Sequence, residues 1–204
     1  MFKNLGKDQS LMTYPLILAS TSIYRKKLLS QLGWEFKCVG PEVDEDSLKQ
    51  TNLSPSEIAH ELSKLKARAV FNLHPDSCVI GSDQVCALDN KILSKPKSLE
   101  RAIEQLSELQ GRTHVLVTAV TIICPKAERT FINRTELKMR PLTRDNIISY
   151  LETDKPFDCA GSYKLEEQGI KLFEKIQMTD HTAIIGLPLI ELANNLIELG
   201  YHLS

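Results

Sequence analysis

Residues 15–33, PLILASTSIYRKKLLSQLG, admit few folds. An apolar run, Leu16 to Ala19, stops at three hydroxyl residues, Ser20, Thr21 and Ser22. A basic trio, Arg25, Lys26 and Lys27, follows on a segment with helical spacing over 22–32. Leu28, Leu29 and Leu32 share one face, and Gly33 ends the helix. A buried strand that turns this quickly into a helix opens a layered α/β fold. The turn admits two readings. Serine is a common helix cap. Equally, hydroxyls, free backbone N–H groups and the helix dipole make a seat for phosphate. Cations in a first helical turn oppose the dipole, and a bound phosphate would remove that conflict.

The remaining elements alternate. EFKCV (35–39) reads as a second strand. SPSE (54–57) starts a helix, with Ser54 as cap, Pro55 in the first turn and Glu57 completing a capping box. Ile58, Leu62, Leu65 and Ala69 line its apolar face. SCVIGSD (77–83) predicts a buried strand ending in a polar loop. VCALDNKILS (85–94) predicts a hairpin around Asp89-Asn90. Ser98 opens a helix carrying Ile103, Leu106 and Leu109, stopped at Gly111. Residues 113–124 and 130–140 are long strands, adjacent in sequence and therefore antiparallel. Leu142 and Ile147 flank a helix start at Thr143 as a hydrophobic staple. A last helix runs from Pro188 to Gly200. This order predicts a mixed, twisted α/β sheet flanked by helices, with two lobes and a central cleft. Residues 1–13 read as a disordered or extended tail, and 14–204 as one domain.

A net charge of −1 on 204 residues argues against a general nucleic-acid or membrane-surface binder, which needs a basic excess. No apolar run approaches the roughly 20 residues of a membrane helix. The first residues lack the apolar core of a signal peptide, so a cytoplasmic location is expected. The five cysteines, Cys38, Cys78, Cys86, Cys124 and Cys159, have no CxxC spacing and no histidine at zinc-ligand spacing. They read as buried small hydrophobes in a reducing compartment.

Three groups could carry chemistry. The first is the turn at 20–25. The second is acidic: Glu42, Asp44, Glu45 and Asp46 in PEVDED, and Asp83 at the end of an apolar strand. Carboxylates at strand ends gather where α/β folds bind ligands, and they suit Mg²⁺ or Mn²⁺ or can take a proton from water. For 41–46 a solvated acidic loop explains the run equally well. The third is basic: Lys66, Lys95 and Arg112, each of which also suits a plain surface role. The chain has no GxxxxGK[ST] and no GxSxG, so it is neither a P-loop hydrolase nor a serine hydrolase of that kind.

Eight segments together resemble the Maf family of nucleoside triphosphate pyrophosphatases: LILASTSxxR, VDE (43–45), LSKLKA (62–67), GSDQV (81–85), SKP (94–96), GRTH (111–114), CAGSYKLEEQG (159–169) and IIGLPL (184–189). GSDQV, and CAGS followed by a glutamate, are similar to the branch acting on 7-methyl-GTP. Ile23 stands where the family usually has proline, and Tyr24 where this branch often has tryptophan.

The resemblance implies a fold related to the inosine triphosphate pyrophosphatases. It implies metal-dependent cleavage between the α- and β-phosphates, with Mg²⁺, Mn²⁺ or Co²⁺ as cofactor. It assigns Asp83 as acceptor of the water proton and Ser20, Arg25, Lys66 and Lys95 as triphosphate ligands. Glu45 becomes a metal ligand, and Tyr24, Gln84 and Glu166 select the base. Gln84 offers a donor and an acceptor to guanine, and Glu166 accepts from N1–H and N2–H; from the residues alone, Glu166 and Glu167 are equals. The implied partners are a small nucleotide and a second copy of the chain, with no nucleic acid and no membrane. The alternatives are a dTTP/UTP pyrophosphatase, an inosine or xanthosine triphosphate pyrophosphatase, and a non-enzymatic regulator of septum formation.

Overall fold

A strand stays in the sheet only where a neighbour satisfies its backbone, and the point where one neighbour stops organises this molecule. The computed structural model describes residues 14–49 and 52–203, and the tail expected over residues 1–13 lies outside them. β1 (Leu16–Ala19) pairs in parallel with β2 (Phe36–Cys38) on one side and with β3 (Cys78–Leu88) on the other. β3 then pairs antiparallel with β5 (Thr113–Cys124), β5 with β6 (Ala127–Met139), and β6 with β7 (Phe173–Gln177). The short β4 (Lys91–Ile92) folds back on the end of β3. The sheet order is β2-β1-β3-β5-β6-β7, a mixed sheet as the alternation predicts.

β3 does not end at Asp83 in a polar loop; it runs unbroken to Leu88, with Asp83 in mid-strand opposite Ala119. The polar run GSDQ hid this continuity, because β5 supplies ladder partners all along it. On the other edge, β1 last pairs at Gly81 and β4 first pairs at Ala87. Residues 82–85 therefore have β5 on one edge and, among the described residues, no strand on the other.

The helices are α1 (Ile23–Ser30), α2 (Glu45–Lys49), α3 (Pro55–Leu73), α4 (Leu99–Leu109), α5 (Arg144–Asp154) and α6 (Leu189–Glu198). Their starts follow local chemistry. Ser22 caps α1, and Ser54 and Glu57 form the reciprocal box of α3. The Ser54 bonds hold the Glu57 carboxyl below its usual pKa. Ser98 caps α4, and Thr143 with Asn146 boxes α5. Leu142 and Ile147 pack in one cluster, as a staple requires. The hairpin bends at Asp89, whose φ is 54°. Among the described residues no helix is long and apolar enough to cross a membrane.

Alternate residues of β3 face opposite sides. Gly81, Asp83 and Val85 face α3. Ser82 and Cys86 face the other side, where the core divides in two. One cluster joins β1, α1 and α6, through Leu18, Leu29, Ile80 and Leu196. The other joins α4, α5 and the far ends of β3, β5 and β6, through Cys86, Leu106, Leu137 and Leu151. These are the two lobes, and residues 82–85 lie between them.

The apolar face of α3 also differs from expectation. Ile58, Ala59, Leu62, Ser63, Lys66, Ala67 and Val70 are buried, while Leu65 is 42% exposed and Ala69 only half-buried. The helix lies so close over β3 that a Cβ on Gly81 would stand 2.3 Å from the Ser63 carbonyl oxygen and 2.5 Å from the Ala67 nitrogen. Small residues fill that contact, and Lys66 enters it because carboxylates meet it there.

The cysteine reading needs correction as well. Cys78 and Cys124 form a disulfide between β3 and β5. They lie 46 positions apart in sequence, and the antiparallel register alone brings them together. Cys38 is exposed, and of the free cysteines only Cys86 is fully buried.

Candidate active site

The turn after β1 shows the helix cap and sends the Arg25 side chain toward the cleft. Ser22 is a plain cap, accepting from the Arg25 backbone N–H at 3.4 Å. Ser20 is buried and accepts from the Ser22 N–H at 3.1 Å. Arg25 leaves the helix and donates Nε to the Gly186 carbonyl at 3.0 Å. Burial lowers its pKa, and the negative charges of Asp83 and Glu45 pull the other way. An arginine at a helix start is thus answered by carboxylates of the site.

Behind it lies a compact ionic group. Lys66 Nζ donates to Asp83 Oδ1 at 2.6 Å and pairs with Glu45 Oε1 at 2.7 Å. Asp83 is 5% exposed, and its second oxygen, Oδ2, is buried without a hydrogen-bond partner among the described residues. A buried carboxylate oxygen left unpaired is costly in a finished core. In a site it is an acceptor held ready for a proton or a cation.

The opposite side of β3 fixes the loop before α6. Ser82 Oγ donates to the Gly186 carbonyl at 2.9 Å, so that carbonyl takes Ser82 and Arg25 together. Gly186 has φ 113°, a conformation that favours glycine. Gln84 Nε2 donates to Thr118 Oγ1 at 2.9 Å, to the Ala183 carbonyl at 2.8 Å and to the Ile184 carbonyl at 3.0 Å. Thr118 Oγ1 itself donates to the Ala183 carbonyl, so every partner accepts and the Gln84 amide orientation is fixed. The expected donor from Gln84 to the base is therefore committed inside the protein, and only its Oε1 acceptor remains. Asp180 and Thr182 complete the loop by accepting from the Ile190 and Leu189 N–H groups at the start of α6.

Also in the cleft, burial raises the Tyr24 pKa. Lys164 opposes that rise, while Cys159, Glu166 and Asp158 add to it. These groups sit on the 158–166 segment, which the second lobe anchors. Ser162 Oγ donates to Gln105 Oε1 at 2.6 Å, and the Lys164 N–H donates to the Tyr150 hydroxyl at 2.9 Å. Glu166 and Glu167 are both exposed, but only Glu166 lines the cleft. The structure separates two carboxylates that the residues alone left equal.

Ser20, Tyr24, Arg25, Glu45, Lys66, Asp83, Gln84, Lys95 and Glu166 all line this one cleft, whose volume is about 560 Å³. That size suits a small-molecule ligand. Lys95 stands exposed on the rim, which it shares with an adjoining hollow bearing Lys97 and Arg101. Arg112 is elsewhere, paired to Asp89 at 2.8 Å. Ser82, Thr118, Asp180 and Gly186 were not singled out by sequence. For Ser82 and Gly186 the signal was their place inside GSDQV and IIGLPL, and for Thr118 and Asp180 there was none, because hydroxyl and carbonyl roles depend on partners far along the chain.

Among the described residues no group of three or more His, Cys, Asp or Glu side chains forms a metal site. Glu45 and Asp83 fit a hard divalent cation of the kind completed by substrate phosphates and water, and the unpaired Asp83 Oδ2 is the observation that favours it. Chemically, the cleft offers cations for phosphate oxygens, one buried carboxylate acceptor, an aromatic ring and an exposed carboxylate.

The family model described as "Maf-like protein" matches residues 15–199. A 7-methyl-GTP pyrophosphatase of Bdellovibrio bacteriovorus is 45% identical over 177 residues, which is 87% of this chain and 93% of that one. A 7-methyl-GTP pyrophosphatase of Xanthomonas oryzae pv. oryzae is 47% identical over 188 residues, 92% of this chain and 98% of that one. Among solved structures, a HAM1 protein from Coxiella burnetii is similar with a TM-score of 0.47 and 14% identity, over 91% of this chain and the whole of that one.

Proposed function

The chain belongs to the Maf-like protein family, and from that premise we propose that it is a 7-methyl-GTP pyrophosphatase, hydrolysing 7-methyl-GTP to 7-methyl-GMP and pyrophosphate. The observation that carries this reading is that Arg25, Lys66 and Lys95 line one cleft together with Asp83, Tyr24 and Glu166.

Phosphoryl transfer asks a protein mainly for position and charge neutralisation. Arg25, oriented by Gly186, and the lysines bind the triphosphate oxygens. Asp83 takes a proton from the water that attacks the α-phosphorus. The bond from that phosphorus to the bridging oxygen breaks, and pyrophosphate leaves with the electron pair. Glu45, with Asp83 beside it, would hold a divalent cation (Mg²⁺, Mn²⁺ or Co²⁺), which would neutralise charge on the phosphates during attack. Glu166 accepts from the N1–H and N2–H groups of guanine. Methylation at N7 makes the ring cationic, which favours that carboxylate and the Tyr24 ring. We place the enzyme in the cytoplasm, with its nucleotide, and propose that it works as a homodimer.

A nucleotide panel with Mg²⁺, Mn²⁺ and Co²⁺, read by pyrophosphate release, tests the reading. Highest kcat/KM on 7-methyl-GTP is expected. Faster turnover of dTTP or UTP, or of GTP, would replace the substrate. Absence of metal-dependent turnover on any nucleotide would leave the septum regulator.

A further inference from the structure

We propose that Lys66 is an internal counter-ion that keeps the Glu45–Asp83 pair closed to a free divalent cation, so that the cation binds only together with the nucleotide's phosphates. This rests on the pyrophosphatase reading for why a divalent cation enters at all. The rest follows from charges within the chain.

Lys66 Nζ lies 2.6 Å from Asp83 Oδ1 and 2.7 Å from Glu45 Oε1, and its side chain is 7% exposed. With Arg25, whose pKa responds to both carboxylates, the group holds two cations and two carboxylates. Their charges sum to zero before any ligand arrives. A divalent cation approaching that group finds its ligands already neutralised, and an ammonium at hydrogen-bond distance from both. In a weakly solvated site such like-charge contact is strongly unfavourable. Two carboxylates also leave most coordination positions to other donors, and among the described residues no third acidic, histidine or cysteine side chain joins them.

A bound triphosphate reverses each term. It brings about four negative charges and supplies phosphate oxygens as further ligands. Lysine is a compact charge on a flexible stem, so Lys66 can exchange the carboxylates for a phosphate oxygen without α3 moving. That exchange also releases Asp83, which Lys66 otherwise holds. An arginine fork, bound to both carboxylates at once, would not let go so readily. Lys66 thus couples the arrival of the nucleotide to the opening of the carboxylate pair.

Mn²⁺ binding to the full chain, followed by electron paramagnetic resonance, tests this. The wild-type protein is titrated alone and with the α,β-methylene analogue of 7-methyl-GTP, after subtraction of the Mn²⁺–analogue complex in buffer. The analogue is expected to raise protein-bound Mn²⁺ affinity roughly tenfold or more, the scale of a coupled pair of ligands. Lys66→Met is expected to bind Mn²⁺ without nucleotide roughly tenfold more tightly than wild type, and Lys66→Met/Asp83→Asn to lose that gain. Equal wild-type affinity with and without the analogue overturns the proposal, as does a Lys66→Met protein, folded by circular dichroism, that binds no more tightly. If that variant does not fold, the wild-type comparison decides alone. Hydrolysis of 7-methyl-GTP by the same wild-type sample separates the two ideas: its absence removes the activity, whereas hydrolysis with nucleotide-independent Mn²⁺ binding removes only the counter-ion role.

Discussion

Arg25 donates its Nε to the backbone carbonyl of Gly186 at 3.0 Å, across 161 positions of sequence. The bond ties the first turn of α1 to the loop before α6 and fixes the plane of the guanidinium. A lysine keeps the charge but neither the fork nor this bond. Arg25→Lys should lower kcat/KM on 7-methyl-GTP by roughly 10- to 100-fold, the value of a lost charged hydrogen bond or two. Steady-state kinetics would show it, and a variant within a factor of two of wild type would exclude this role.

Asp83→Asn keeps an oxygen for Lys66 and removes the proton acceptor. Turnover should fall about 10²-fold or more, with the circular dichroism spectrum unchanged. Near-normal turnover would mean that another group activates the water.

Glu166 lines the cleft and Glu167 does not. Glu166→Gln should reduce the preference for 7-methyl-GTP over GTP by roughly tenfold, because the amide no longer offers the cationic ring a negative charge. Glu167→Gln should leave that ratio unchanged. Equal effects in the two variants would return the choice between them to an open question.

Gly81 has no room for a side chain, since a Cβ there meets backbone atoms of α3 at 2.3 and 2.5 Å. Gly81→Ala should destabilise the fold by about 1–3 kcal/mol or more, seen as a lowered Tm. A Tm equal to wild type would mean that α3 can shift off the sheet.

His114 is 1% exposed, and burial pushes its pKa from 6.5 down to about 4. The folded state therefore keeps a neutral ring where the unfolded chain already binds a proton. Stability is unaffected by this group above pH 6.5 and declines as pH falls from there to about 4. The full loss is roughly 3 kcal/mol. His114→Phe, set beside the rings of Tyr163 and Phe173, should flatten the pH dependence of Tm over that range. An unchanged slope would assign the acid loss to other groups.

What the sequence disclosed, it disclosed where local chemistry decides. Ser22, Ser54, Ser98 and Thr143 cap their helices as their neighbours dictate. Gly33 and Gly111 carry the positive φ expected of helix stops. What it concealed depends on partners distant in the chain. The course of β3 through GSDQ is set by β5, and the burial of Lys66 by Asp83 and Glu45. The Cys78–Cys124 pair follows from register, and the orientation of the Gln84 amide from the 183–184 carbonyls. The site residues were legible as a set through their resemblance to a family. Their division of labour was not, because motif spacing carries no hydrogen-bond direction.

Among the described residues, β3 has no strand on one edge at 82–85, because β1 is short. Adding two or three residues to that first strand would plug the hollow with main chain and leave a more complete scaffold that turns nothing over. If the proposed reaction runs in this cleft, it owes as much to an unfinished row of hydrogen bonds as to any side chain, and redesign for new nucleotides should leave that gap alone while varying the loops around it.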